Sequence, residues 1–173
     1  MSDSRFYVTT PIYYVNDIPH IGHAYTTILA DVLARYNRLA GVDTMFLTGT
    51  DEHGQKVQQA AESSGKLPQE QADQTVIRFK ELWERLEITH DDFIRTTEDR
   101  HKTIVQKILQ DLYDRGEIYA ADYDGWYDVT SETFVTEKDV TPEQTGGSQP
   151  RVIRIQERNY FFRMGKYLSL IHI

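Results

Sequence analysis

Apolar and polar positions fall into blocks whose period changes along the chain. Phe6-Tyr7-Val8-Thr9 is a short β-prone run, and Thr10-Pro11 ends it because proline cannot donate to a central ladder. A loop is expected from there to Pro19. From Gly22 the apolar positions take helical spacing, with Tyr25, Ile28, Val32, Tyr36 and Leu39 on one stripe and Gly41 closing it. Such a stripe predicts a helix with this face in the core. Thr44–Thr48 reads as a second buried strand, and His53–Ser64 as a helix stopped by Gly65. Pro68 opens a longer helix with Val76, Phe79, Trp83 and Leu86 at core spacing. Asp92–Arg95 is a third strand candidate. The next helix takes Thr97 as its N-cap, with Glu98 and Asp99 against its positive end. Its inner face is Ile104, Ile108 and Leu112, and Gly116 ends it.

Strand, helix, strand, helices, strand, helix is the order of a parallel α/β sheet. Beyond Gly116 the texture becomes β-like, in short runs at Glu117–Ala120, Trp126–Val129, Thr133–Val135 and Arg151–Gln156. A second, small β-rich module is therefore expected from about residue 114, with a flexible loop at Glu143–Pro150. Tyr160–Lys166 begins a further element.

Composition narrows the classes. Of 173 residues, 39% are apolar and 12% aromatic, which suits a packed core and excludes a disordered tail. No apolar run approaches the ~20 residues that cross a bilayer, and Met1–Phe6 is not a signal peptide, so a soluble cytoplasmic chain with no membrane partner is expected. Cysteine is absent, which removes disulfides, thiol nucleophiles and cysteine-ligated zinc. A formal net charge of −8 argues against a general grip on a phosphate backbone, and DNA is not an expected partner.

Two polar clusters stand where chemistry is expected. His20-Ile21-Gly22-His23 follows the first strand and opens a helix. Ligands of an open parallel sheet bind beyond the carboxyl ends of its strands, and a helix N-terminus there suits a phosphate. Gly22 lets a ligand lie close to the backbone. Two imidazoles three residues apart reach the same group and can donate to oxygens that gain charge at a transition state. Thr48-Gly49-Thr50-Asp51-Glu52-His53-Gly54 follows the second strand and should face the same crevice. Asp51 is the carboxylate expected to pair with a substrate ammonium, because Glu52 alternates away from it.

Each feature also has an ordinary explanation. An isolated H-x-x-H is commonly a surface pair, Asp-Glu commonly a solvated turn, and the apolar stripes are core. What raises the two clusters above these is that both fall at strand C-termini of one sheet. A metal hydrolase with His20, His23, Asp51 and His53 as ligands is the rival reading, ranked second because the glycine and the helix dipole favour an anion.

The stretch Phe6–Gln55, with T-T-P-I-Y-Y-V-N, H-I-G-H and T-G-T-D-E-H-G, resembles the opening of the bacterial methionyl-tRNA synthetases, a class I aminoacyl-tRNA synthetase family. D-D-F-I-R-T-T-E-D-R-H, ending at His101, and N-Y-F-F-R-M at Asn159–Met164 fit the same family, and the resemblance reaches to about Tyr167. The resemblance implies a fold that is the first half of a Rossmann-like catalytic domain over residues 1–113, then a connective-peptide insertion over 114–167. It implies attack of the methionine carboxylate on the α-phosphate of ATP, then transfer of methionine to tRNA(Met), with magnesium travelling with ATP. By the same resemblance His20, Gly22 and His23 bind ATP, the histidines stabilise the transition state, and Asp51 holds the methionine ammonium. Ile12 and Tyr14 form one side of the methionine pocket, where an aromatic ring meets the thioether.

The chain departs from the family at several points. Many relatives carry a zinc knuckle whose first cysteine pair falls near Asp128 and Ser131, so a zinc-free insertion is expected. Neither a K-M-S-K-S-type loop nor a helical anticodon-binding domain has a counterpart between Met1 and Ile173, and residues 168–173 leave the family. A fragment, inactive by itself, is expected. A non-catalytic nucleotide- or RNA-binding module and a different class I synthetase stand as alternatives.

Overall fold

The computed structural model describes residues 4–147 and 150–171. The chain divides into two compact units, Met1–Val105 and Gln106–Ile173.

The first unit is built on a parallel sheet of β1 (Arg5–Thr9), β2 (Tyr13–Tyr14), β3 (Asp43–Asp51) and β4 (Asp92–Arg95). Leu47 pairs with both Thr9 and Asp92, and Thr50 pairs with both Tyr13 and Arg95. Each strand has two edges, so β1 and β2 must share one edge of β3 while β4 takes the other. The chain runs along β3, breaks away at Thr10–Ile12 and rejoins it as β2. The region expected to be loop as far as Pro19 thus contains a short strand, whose alternation buries Tyr13 and Val15 and exposes Ile12 and Tyr14. Gly49 permits the close pairing of β3 with β4: a Cβ there would sit 2.1 Å from the Ile94 carbonyl oxygen.

Three helices cover this sheet: α1 (Ile21–Leu39), α2 (Gln55–Ser63) and α3 (Pro68–Arg85). The stripe expected to bury α1 is not the face that packs. Tyr25 is 71% exposed, Tyr36 70% and Leu39 89%, with Ile28 and Val32 also exposed. The buried positions are Thr27, Ala30, Asp31 and Ala34, small or hydrogen-bonded residues that let the helix lie close on Phe46 and Val8. Asp31 tolerates this because it accepts from the Thr89 N–H (2.7 Å), the Thr89 hydroxyl (2.6 Å) and Arg35 Nε (2.6 Å). Burial opposes its ionisation, yet those donors hold its pKa below the ordinary carboxylate value.

Helix α3 follows expectation more closely. Val76, Phe79 and Trp83 are buried, while Leu86, at its C-cap, is partly exposed. Phe79 and Trp83 pack with Tyr13, and Val76 packs with Val15 and Val57.

Helix α4 (Asp99–Asp114) spans the division between the units. Thr97, expected as its N-cap, gives its hydroxyl to Glu52 instead, and the His101 and Lys102 N–H groups donate to the Glu98 carbonyl (both 3.0 Å). Ile104 and Ile108, expected on its inner face, are exposed.

The second unit is a three-stranded antiparallel sheet in the order β6 (Thr133–Val135), β5 (Ile118–Asp128), β7 (Val152–Phe162). The two short runs expected at 117–120 and 126–129 are one continuous strand. Ala121–Gly125 looks like a break in the sequence, but cross-strand partners carry it: Asp124 lies opposite Gln156 and receives Arg154 Nε at 2.7 Å. The loop expected at Glu143–Pro150 overlaps a short helix α5 (Pro142–Thr145), and its residues 148–149 lie outside the described residues. Tyr160–Phe162 completes β7, and α6 (Gly165–Ile171) runs into the expected tail 168–173, of which 172–173 lie outside the described residues.

Candidate active site

His20 and His23 form a reciprocal cap on the first turn of α1. The Gly22 N–H donates to His20 Nδ1 and the His20 N–H donates to His23 Nδ1, each at 3.1 Å. This is the capping-box arrangement with imidazoles in both roles. The rings stack at 3.8 Å between centroids and 25° between planes. Because a main-chain N–H can only donate, each Nδ1 must be the unprotonated acceptor. A neutral ring so held carries its proton on Nε2. The backbone therefore selects the tautomer that presents two Nε2–H donors.

The helix end itself offers less than expected. The Gly22 N–H is taken by His20, and the His23 and Ala24 N–H groups donate to the His20 carbonyl at 3.0 and 3.2 Å. The side-chain donors of this turn are the two imidazoles. Gly22 has a role here beyond making room for a ligand: a Cβ would come within 2.9 Å of His20 Cε1 and 3.1 Å of its Nδ1.

His23 is supported from beneath by Tyr13 at 4.8 Å and Phe79 at 5.2 Å between ring centroids. Tyr13 is in turn fixed by its hydroxyl, 2.8 Å from Thr27 Oγ1. Burial, with the neighbouring His20 second, lowers the His23 pKa below its ordinary value and keeps the ring neutral.

A cavity of about 420 Å³ opens in front of this pair, lined by Ile12, Tyr13, Tyr14, Asn16, His20 and His23 among others. Four of the six residues singled out in the sequence, Ile12, Tyr14, His20 and His23, thus meet around one space. Gly22 supports it from the helix turn. Asp51 is not in that lining. It stands beside Tyr14 in the β2–β3 ladder, and its Oδ1 accepts a long 3.4 Å hydrogen bond from the His53 N–H. The Lys56 ammonium lies 5.6 Å from the centre of the Tyr14 ring.

Glu52 turns to the opposite side, as alternation along β3 requires, and its side chain is fully buried. Arg95 grips it with two nitrogens, Nε to Oε1 at 2.7 Å and an Nη to Oε2 at 3.0 Å. The Thr50 hydroxyl donates to Oε1 at 2.7 Å, and Thr97 donates to Oε2. This pair escaped sequence reasoning, as did Tyr13, although the alternation of Ile12-Tyr13-Tyr14-Val15 was there to suggest an inward Tyr13.

Among the described residues no three or more His, Cys, Asp and Glu side chains come together as a metal site. His20, His23, Asp51 and His53 do not assemble the rival metal centre: His53 turns its Nε2 to the Thr96 carbonyl at 3.3 Å. Among the same residues no helix is long and apolar enough to cross a membrane. At the positions expected for cysteines, Asp128 accepts from the Thr130 and Ser131 N–H groups at 2.8 and 3.2 Å and pairs with Arg151.

Residues 6–150 match the family model of the tRNA synthetases class I (M). The chain belongs to this family. The methionine–tRNA ligase of Halalkalibacterium halodurans is 50% identical over 173 residues, covering 94% of this chain and 26% of the relative. That of Bacillus subtilis strain 168 is 51% identical, covering 95% and 26%. The chain thus spans about a quarter of the length of the curated relatives it matches. A solved Mycobacterium tuberculosis methionyl-tRNA synthetase in complex with methionyl-adenylate superimposes with a TM-score of 0.88 at 38% identity, over 98% of this chain and 34% of that one. The parallel sheet of the first unit is therefore part of a class I synthetase catalytic fold.

Proposed function

We propose that this chain carries the first half of the catalytic domain (residues 1–113) and the connective insertion (114–167) of a cytoplasmic methionine–tRNA ligase. Its reaction joins methionine to ATP as methionyl-adenylate and passes methionine to tRNA(Met). The observation that carries the reading is the reciprocally capped pair His20–His23, two Nε2–H donors at the mouth of one cavity with Ile12 and Tyr14.

A methionine carboxylate oxygen bonds to the α-phosphorus while the bond to the pyrophosphate oxygen breaks. Negative charge rises on the phosphate oxygens, and the two Nε2–H groups are fixed donors toward it. They act by donating hydrogen bonds and transfer no proton. Asp51 pairs with the methionine ammonium, and Ile12 and Tyr14 form an apolar and aromatic wall for the thioether. Magnesium enters with the ATP phosphates it neutralises.

In the insertion, Asp128 pairs with Arg151 and accepts from two main-chain donors at the end of β5, and the absence of cysteine supports a zinc-free reading. The test of the activity is amino-acid-dependent ATP–pyrophosphate exchange by the full-length protein that contains this chain. Methionine is expected to support exchange, and leucine, isoleucine, valine and cysteine are not. Exchange driven by one of those four in place of methionine would overturn the reading.

A further inference from the structure

Among the described residues, Asp51 has little to hold it directly. Its carboxylate receives one 3.4 Å hydrogen bond, from the N–H two residues on. The residues on either side of it are bound tightly. The Thr50 carbonyl accepts from the Thr96 N–H at 3.3 Å, and the Glu52 N–H donates to the Thr96 hydroxyl at 2.9 Å. The Glu52 side chain accepts from Thr50, twice from Arg95, and from Thr97. The Arg95 guanidinium also reaches Asp73 on α3, so one cation ties the ends of β3 and β4 to a helix. Its own pKa is raised above the ordinary guanidinium value, first by the hydrogen bonds to Glu52.

We propose that Arg95 and Glu52 are positioning residues for Asp51: their buried ion pair sets the direction of the carboxylate that receives the substrate ammonium. This rests on the functional reading above. A bond to a charged, fully buried carboxylate cannot be given up without leaving that charge unpaired, so the β3 end has one stable arrangement. Arg95 supplies a planar fork that matches both oxygens, which lysine cannot copy. The two side chains touch no substrate in this scheme. They act through Thr50 and Glu52 on the backbone that carries Asp51.

The test uses the full-length protein and two variants, Arg95→Lys and the milder Thr97→Val, which replaces by a methyl the hydroxyl that donates to Glu52. Exchange kinetics give KM for methionine, KM for ATP and kcat. A methionine analogue lacking the α-ammonium, used as a competitive inhibitor, reports the rest of the pocket. Arg95→Lys is expected to raise the methionine KM about tenfold and leave kcat and the ATP KM within about twofold. Inhibition by the analogue is expected to be unchanged, because the analogue makes no use of Asp51. Thr97→Val is expected to shift the same constant in the same direction by less, its other lost contact being the exposed 3.5 Å bond from Gln69 Nε2, and it decides the matter if Arg95→Lys does not fold. Equal weakening of methionine and analogue would assign the pair a merely structural role and overturn the proposal, as would an unchanged methionine KM. Absence of methionine-dependent exchange in the parent protein would instead overturn the functional reading, and this inference with it.

Discussion

Gly22→Ala separates the catalytic role proposed for the first turn of α1 from its contribution to stability. The added methyl would stand 2.9 Å from His20 Cε1 and 3.1 Å from Nδ1. His20 is exposed, so its ring swings away and the backbone need not move. Two interactions are then lost: the 3.1 Å bond from the Gly22 N–H and the 3.8 Å stack on His23. Loss of an N-cap acceptor costs about 1 kcal/mol. Replacing glycine by alanine within a helix returns about 0.5–1 kcal/mol. The two nearly cancel, and the denaturant midpoint of the full-length protein should stay close to that of the parent. Activity should not. Misplacing one preorganised donor to the developing phosphate charge is expected to lower kcat about 100-fold. Urea unfolding and methionine-dependent exchange kinetics on the same preparation measure both quantities. A kcat within about threefold of the parent would show that His20 is not a transition-state donor. A parallel fall of stability and activity would show that the capping estimate is wrong.

Two further outcomes follow from the titrating groups. Nitrogen-detected NMR of the imidazoles should find both rings as the Nε2–H tautomer at neutral pH, with His23 titrating below 6.5. A protonated His23 cannot accept from the His20 N–H, so stability of the first turn falls as pH drops below 6.5 toward the lowered native value. An Nδ1–H ring at either position would contradict the capping geometry. In the second unit, the hydrogen bond from Arg151, aided by the Ser131 and Thr130 N–H groups, pulls the Asp128 carboxyl down from 3.8 to about 2. The stability it contributes is complete above 3.8 and is lost as pH falls from there toward about 2. Asp128→Asn should flatten acid unfolding in that window, followed by Trp126 fluorescence, and an unaltered slope would remove Asp128 as its cause.

The elements with a strong period or a clear stop were legible in the sequence. Pro68 opens α3, Asp92–Arg95 is β4 residue for residue, and His20 to His23 does lie at a strand-to-helix turn. The stripe of α1 was legible as apolar but not as exposed, since periodicity reports that a helix has a face to cover without saying what covers it. The face that packs is made of Thr27, Ala30, Asp31 and Ala34, which no hydrophobicity pattern selects. Likewise β2 is two residues long, too short for any period, and exists because β3 has an unpaired end beyond Leu47. The site was legible as far as residue type and order carry it. The clamp of Arg95 on Glu52 joins positions 43 residues apart, and only the fold brings them together.

The reciprocal cap makes the donor geometry of His20 and His23, and with it their proposed chemistry, a property of a single helical turn. Helix ends open and close far more readily than the sheet beneath them unfolds. When that turn opens, both rings lose their acceptor bonds at once, and tautomer, stacking and aim disappear together. Warming should therefore silence methionine-dependent exchange by the full-length protein reversibly while circular dichroism still reports an intact fold. The operating temperature ceiling would be set by four residues at the start of α1 and not by the core.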